Sequence, residues 1–271
     1  MENLDEEQLN RKLDELIIFL ALESKDESIN DSVLSKKSYL EKKDLFSNLL
    51  LSRKIAPLSS QFLKMQNEYL AAESKNKLIV EAQKLTYIKN MSIICCDIVR
   101  LKIDAIVCSC RENLVGNFDI NPNAVSSDVF LAGGLQVKQE MSYIISKQNH
   151  NEPCGSAKIV KGHNLPSDYV ICTVGPKVVN GRVGYKEKED LIKCYNSCLD
   201  LAQSKGLGSI AFCSISTGSN KFPRQLASEI AVSTVYKWLT KNNFPLKVVF
   251  CIVSKEDEKC YETSFKEYVI M

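Results

Sequence analysis

The chain has 271 residues, of which 45% are hydrophobic, and its 35 Lys and Arg nearly balance 33 Asp and Glu. That apolar content suffices for one main domain with an appendage, whereas the charge balance excludes a broad electrostatic footprint for nucleic acid or an anionic membrane. The longest apolar run, residues 16–22, is too short to span a bilayer, and Glu2, Asp5, Glu6 and Glu7 spoil a positively charged signal-peptide start, so a soluble, cytoplasmic protein is expected.

Residues 5–22 place Leu9, Leu13, Leu16, Ile17 and Leu20 at helical spacing with charges on the other face, which predicts an amphipathic helix. After a polar stretch at 23–31, a second helical pattern covers 35–51. Pro57, Leu58 and Ser59 read as a break and N-cap, after which Phe62, Met65, Tyr69 and Ala72 line one side of a third helix. None of these residues carries chemistry, and their expected role is to pack on the C-terminal domain.

From Leu85 onward, short apolar runs alternate with helices. Strands are predicted at 85–88, 92–96, 104–108, 157–161, 169–174, 209–213 and 247–253. Leu191, Cys194, Tyr195, Cys198 and Ala202 mark one helix face, and Ala227, Ile230, Ala231, Thr234, Val235 and Trp238 mark another. The alternation predicts a layered α/β domain with a mixed, largely parallel sheet and ligands beyond the carboxyl ends of its strands. The cysteine count of 11 is odd, and Cys95, Cys96, Cys108, Cys172, Cys213 and Cys251 sit in apolar strand-like runs, so reduced core thiols are expected rather than disulfides.

The stretch 206–223, GLGSIAFCSISTGSNKFP, organises the rest. A short strand runs into a small-residue loop, succeeded by Pro223 and an amphipathic helix. In such a loop consecutive backbone N–H groups can converge on a phosphate, since Gly218 permits φ > 0 and close approach and the next helix adds its positive end. An ordinary strand-to-helix connection is the competing reading. No GxGxxG opens a βαβ unit and no GxxxxGK[ST] occurs, so neither a dinucleotide-binding Rossmann site nor a P-loop is supported.

Several separate motifs in order carry a family resemblance: Cys96-Asp97-Ile98 with Asp104-Ala105-Ile106-Val107, Gly155-Ser156-Ala157-Lys158-Ile159, Gly162-His163-Asn164-Leu165-Pro166, Tyr169-Val170-Ile171, Thr173-Val174-Gly175-Pro176 and Ser214-Ile215-Ser216-Thr217-Gly218. Together they resemble a macrodomain. The helical front end, including residues 62–70, is similar to that of the zinc-containing microbial macrodomains. The resemblance implies a three-layer α/β/α macrodomain at 85–271 behind an N-terminal helical extension at 1–84. It also implies ADP-ribose or mono-ADP-ribosylated protein as the ligand, with no cofactor, and an activity like that of protein ADP-ribosyl hydrolases.

Carried over by motif, Asp97 matches the acid that accepts the adenine amino hydrogen, with Ile98 beside the base. Ser216, Thr217, Gly218, Ser219 and Asn220 match the diphosphate loop, Phe222 matches the aromatic on the distal ribose, and Val125 and Ser126 fall at further ligand-site positions. Two features depart from the family. Its Cys-x4-His-x-Cys zinc pattern is met here by Asn117, Pro122 and Ala124, and proline and alanine side chains cannot ligate zinc, so no metal is expected. Its Asn-Ala-Ala-Asn stretch is Cys108-Ser109-Cys110-Arg111, and the acid expected after Val125 is Ser126, which leaves no catalytic residue at a matched position. The expectation is therefore a binding module. The alternatives are an active hydrolase using Asp119 or Asp128 in place of the missing carboxylate, or a structural protein without a ligand. Asp128, two residues from Ser126, would be rotated roughly 200° away on a helix. The alternating Asn117, Asp119, Asn121 and Asn123 read as turn chemistry more readily than as a hard-cation loop.

Overall fold

The computed structural model describes residues 5–75, 77–115 and 124–270. Four helices come first: α1 (Glu6–Ser24), α2 (Asp31–Leu34), α3 (Tyr39–Ser52) and α4 (Ser60–Lys75). Helix α1 starts at a capping box in which the Asp5 side chain accepts from the Gln8 N–H while the Gln8 side chain accepts from the Asp5 N–H, and Ser38 with Glu41 does the same for α3. Ser59 accepts from the Phe62 N–H at 3.1 Å, as the break-and-cap reading expects. The apolar stripe of α1 closes with Leu34, Phe46, Leu50, Phe62 and Tyr69 into a cluster of its own, where each fully buried large side chain contributes about 1.5–3 kcal/mol.

The second part is built on a six-stranded sheet in the order β2 (Met91–Cys95), β8 (Lys247–Ile252), β7 (Ser209–Phe212), β4 (Ala105–Cys110), β6 (Tyr169–Val174) and β5 (Ala157–Lys161). All neighbours are parallel except β5, which pairs antiparallel with β6. A two-stranded parallel ladder of β1 (Val80–Glu81) and β3 (Leu101–Lys102) lies apart. Helices α5 (Val125–Gly133), α6 (Leu135–Gln148), α7 (Tyr185–Ser204), α8 (Arg224–Asn242) and α9 (Lys255–Phe265) complete the layers. The inner strands β4, β6, β7 and β8 are almost wholly buried, and their near-continuous apolar runs are what a sheet covered on both faces requires. The architecture is the three-layer α/β/α sandwich with a mixed, mostly parallel sheet and preceding helices that the sequence predicts.

Some local expectations change. Residues 85–88 are not a strand: a 3-10 turn at Ala82–Lys84 precedes them, Tyr87 donates its hydroxyl to the Ala82 carbonyl, and pairing is limited to an isolated bridge between Ile88 and Met91. Cys95 is exposed, although all 11 cysteines are free and most others are buried.

Amides join the two parts. The Gln66 side chain, fully buried, accepts from the Leu135 N–H at 2.9 Å and donates to Gln136 at 2.6 Å. Gln136 and Asn164 both donate to Asn67 at 2.9 Å, and Asn164 also donates to the Gly133 carbonyl. Gly134 must be glycine here, since its φ is +86° and a Cβ would lie 2.5 Å from the Gln66 amide nitrogen. Lys138, also buried, donates to the carbonyls of Leu51 and Arg53 at the end of α3. Burial first, and then the neighbouring Arg53, pulls its ammonium down to about 8.

Candidate functional site

A cleft of about 300 Å³ opens beyond the carboxyl ends of β4, β7 and β8, where a largely parallel sheet collects loops. Its walls include Ile98, Ser109, Val125, the loop Ser214–Asn220, and Arg224, Val253, Ser254 and Asp257.

The loop after β7 has a specific internal frame. Ser216 adopts φ 67° and its carbonyl accepts from the Phe222 N–H at 2.9 Å. The Asn220 side chain donates to the Gly175 carbonyl at 3.1 Å, the Asn220 carbonyl accepts from the Val178 N–H, and Thr217 donates its hydroxyl to the Ser214 carbonyl. Gly175, just past β6, permits this packing: a Cβ there would meet the Ser216 Oγ at 2.2 Å. The amides of Gly218 and Ser219 donate to no other described residue. Gly218 permits φ > 0, but the structure does not use that freedom. The left-handed residues of the loop are Ser216 and Lys221, while Gly218 faces open space. For a residue with a Cβ that conformation costs about 1–2 kcal/mol, offset by the hydrogen bonds at Ser216, so the frame of the loop is fixed by contacts rather than by glycine.

Of the predicted site residues, Ile98, Val125, Ser216, Thr217, Gly218, Ser219 and Asn220 come together on the cleft walls. Ser126, in the first turn of α5, is buried and does not line it. Phe222 is 2% exposed and belongs to the hydrophobic core beneath the loop. Asp97 faces the other way. Its Oδ1 accepts from the Val99 N–H at 3.1 Å, capping the 3-10 turn Ile98–Arg100, and its side chain lines a second cavity of about 190 Å³ with Lys43, Glu73, Lys77, Arg100 and Asp128. Burial, and after it the nearby Asp97, pushes the Asp128 carboxyl up to about 6. Asp128 thus lies on the second cavity and not on the cleft walls, although Ser126, the reference for its helical rotation, does not line the cleft either. Arg111 is exposed and absent from the cleft walls. His163 pairs with Glu140 at 2.8 Å, and His150 lies 2.8 Å from the Asn151 carbonyl. Asn117, Asp119, Asn121 and Pro122 lie outside the described residues, along with the rest of segment 116–123.

Sequence reasoning missed the far wall. Arg224 opens α8, Ser254 caps α9 by accepting from the Asp257 N–H at 3.1 Å, and Asp257 binds Arg224 at 2.8 Å. Among the described residues Asp257 is the one carboxylate on the cleft walls, and it is held in that ion pair. The Ser-x-x-Asp spacing at 254–257 is the signal that marks this helix start.

The Macro domain family model matches residues 110–231. A protein-ADP-ribose hydrolase of Staphylococcus aureus (strain MRSA252) is 36% identical over 238 residues, 87% of this chain and 89% of that protein. A Treponema medium protein of the same name is 36% identical over 226 residues, 82% and 86% of the two chains. The macrodomain of Oceanobacillus iheyensis solved with ADP superposes with a TM-score of 0.60 at 28% identity, covering 67% of this chain and 94% of that one. With a curated relative above one-third identity across most of both chains, and a Macro domain model matching residues 110–231, this chain belongs to the Macro domain family.

Proposed function

We propose that this protein is an ADP-ribose-binding module recognising ADP-ribose or mono-ADP-ribosylated protein. The loop Ser214–Asn220 carries the reading: it lines the cleft with backbone amides, those of Gly218 and Ser219 among them, that donate to no other described residue, beside the N-terminal end of α8. Backbone amides and a helix start form a diphosphate cradle without added cations. Ile98 flanks the adenine, Asp97 accepts its amino hydrogen from across the turn, and Val125 lies toward the distal ribose with Ser126 buried behind it. Phe222 serves that ribose by supporting the loop from below. Residues 1–84 form a helical extension and 85–271 the macrodomain proper.

The chain is a divergent relative of the zinc-containing subfamily that has lost the metal. Asn117, Pro122 and Ala124 do not fit a tetrahedral N/S site. Metal analysis of purified protein is expected to find no stoichiometric zinc, and one tightly held zinc per chain would overturn this. The second reading, an active hydrolase, is favoured by the names of the curated relatives. Calorimetric titration with ADP-ribose, run beside a hydrolysis assay on mono-ADP-ribosylated protein, separates the two readings from each other and from a ligand-free structural role.

A further inference from the structure

Two thiols, one in β8 and one just past the end of the neighbouring β2, touch at the edge of the cleft. Cys251, in β8, lines it, and Cys96 comes directly after β2, immediately before Asp97. Their Sγ atoms are 3.4 Å apart, and the Cys251 Sγ lies 3.1 Å from the Cys96 carbonyl oxygen. The juxtaposition stems from the register. Ile94 is the partner of Cys251 across the parallel β2/β8 ladder, so Cys96, two residues on, projects from the same face one diagonal step away. Cys96 is half-buried and open to a small oxidant, whereas Cys251 is 3% exposed.

The two thiols are also chemically unequal. The Cys251 contact holds the Cys96 thiol below its ordinary value against the opposing effects of burial and of the neighbouring Asp97, with Arg100 adding a smaller favourable charge, while the same contact and then burial push Cys251 up. Of the two, the accessible sulfur is therefore the one that gives up its proton more readily.

We propose that Cys96 and Cys251 are a peroxide-reactive modification site that closes to an intramolecular disulfide at the edge of the cleft. In the first step the Cys96 thiolate attacks one oxygen of a hydroperoxide. The S–O bond forms, the O–O bond breaks, and the departing hydroxide or alkoxide takes a proton. In the second, Cys251 gives up its proton and attacks the Cys96 sulfenic sulfur, forming S–S and expelling the oxygen as water. The two sulfurs are oxidised by two electrons in total, and the peroxide is reduced by the same two. Because Asp97 and Ile98 come directly after Cys96, drawing Cys96 onto β8 shifts the residues assigned to adenine. This consequence rests on the ADP-ribose reading, and the disulfide itself does not.

The rest of the molecule supplies controls. Cys108 contacts Cys172 at 3.3 Å and Cys110 at 3.5 Å, equally close, but this cluster is buried in the sheet and out of reach of an oxidant. Cys95 and Cys154 are exposed but make no such thiol contact among the described residues. Cys96 and Cys251 combine proximity with access.

The test treats the reduced full chain with a slight excess of hydrogen peroxide, blocks free thiols and maps the products by peptide mass spectrometry. The expected product is a Cys96–Cys251 disulfide, reversed by dithiothreitol, with Cys108, Cys110 and Cys172 still free. ADP-ribose affinity should fall at least about tenfold in the oxidised protein and return on reduction. In Cys251→Ser, peroxide should leave Cys96 as a sulfenic acid trapped by dimedone. A disulfide elsewhere, or wild-type Cys96 passing directly to sulfinic acid, overturns the site. A disulfide that forms without changing ADP-ribose affinity overturns its control of the ligand. Reduced protein that binds no ADP-ribose overturns the functional reading instead, while the mapping still decides the disulfide.

Discussion

Two hollows meet at the 3-10 turn Ile98–Arg100, one on either side of it. The cleft beyond the strand ends is walled by backbone, hydroxyls and aliphatic groups, and its two charged residues, Arg224 and Asp257, neutralise each other. The cavity beneath α4 gathers Lys43, Glu73, Lys77, Asp97, Arg100 and Asp128 in a smaller volume. The contrast shows how the molecule separates two tasks. An anionic ligand can be held by fixed neutral donors, which need no counter-charge of their own when the cleft is empty. The ionisable groups are instead collected where the helical extension covers the sheet domain.

The largest expected effect concerns chemistry. Amides that stabilise bound diphosphate equally before and during reaction give affinity without lowering the barrier from the bound state. Among the described residues no free carboxylate lines the cleft to activate water. Turnover of protein-linked ADP-ribose is therefore expected to fall at least about 100-fold below that of the Staphylococcus aureus relative, the low end of what losing general-base help costs. Relative-like turnover abolished by Asp128→Asn would show that the cavity, and not the cleft, holds the catalytic group.

A smaller effect tests the boundary between the two hollows. Asp97 lines the cavity, yet the proposed function has it reading adenine through the turn. Asp97→Ala should weaken ADP-ribose by about 1–3 kcal/mol in calorimetry, the worth of one charge-assisted hydrogen bond with its desolvation. Unchanged affinity would confine Asp97 to capping the turn.

The smallest effect belongs to Asp128. Its folded value of about 6 lies above the ordinary aspartate value, so the native state holds this proton more tightly than the unfolded chain does. Stability from this group is present below about pH 4 and is lost as pH rises through about 6. Since the group is partly exposed, solvent screening reduces the penalty at neutral pH to about 1 kcal/mol. Asp128→Asn should recover that amount in urea unfolding at pH 7.5 and less at pH 5. A gain that is larger at pH 5 would contradict the assignment.

The sequence carried most of the sheet because each inner strand is apolar on both faces. Strands 157–161 and 169–174 match their predicted limits, and β4, β7 and β8 differ only at their ends. Helix α9 was invisible to periodicity: its sequence KEDEKCYETSF is mostly charged, and what it buries is Asp257, Tyr261, Ser264 and Phe265. Helix α6 hides its inward face in the same way, because one of its buried residues is Lys138. In the site, the loop after β7 was legible as a run of small residues, but the left-handed turn at Ser216 was not, since it depends on Gly175 and Phe222 in three dimensions. The Arg224–Asp257 wall joins two helix starts far apart in sequence, a relation only the fold creates. Asp97 was found by its motif, while the direction it faces was set by its cap on Val99.

ADP-ribose binding in the cleft, through the loop Ser214–Asn220, is the central functional proposal. Calorimetric titration of the reduced full chain with ADP-ribose measures this directly. A saturable one-to-one isotherm with a Kd below about 1 mM is the predicted result, and no heat of binding at millimolar ligand would contradict it.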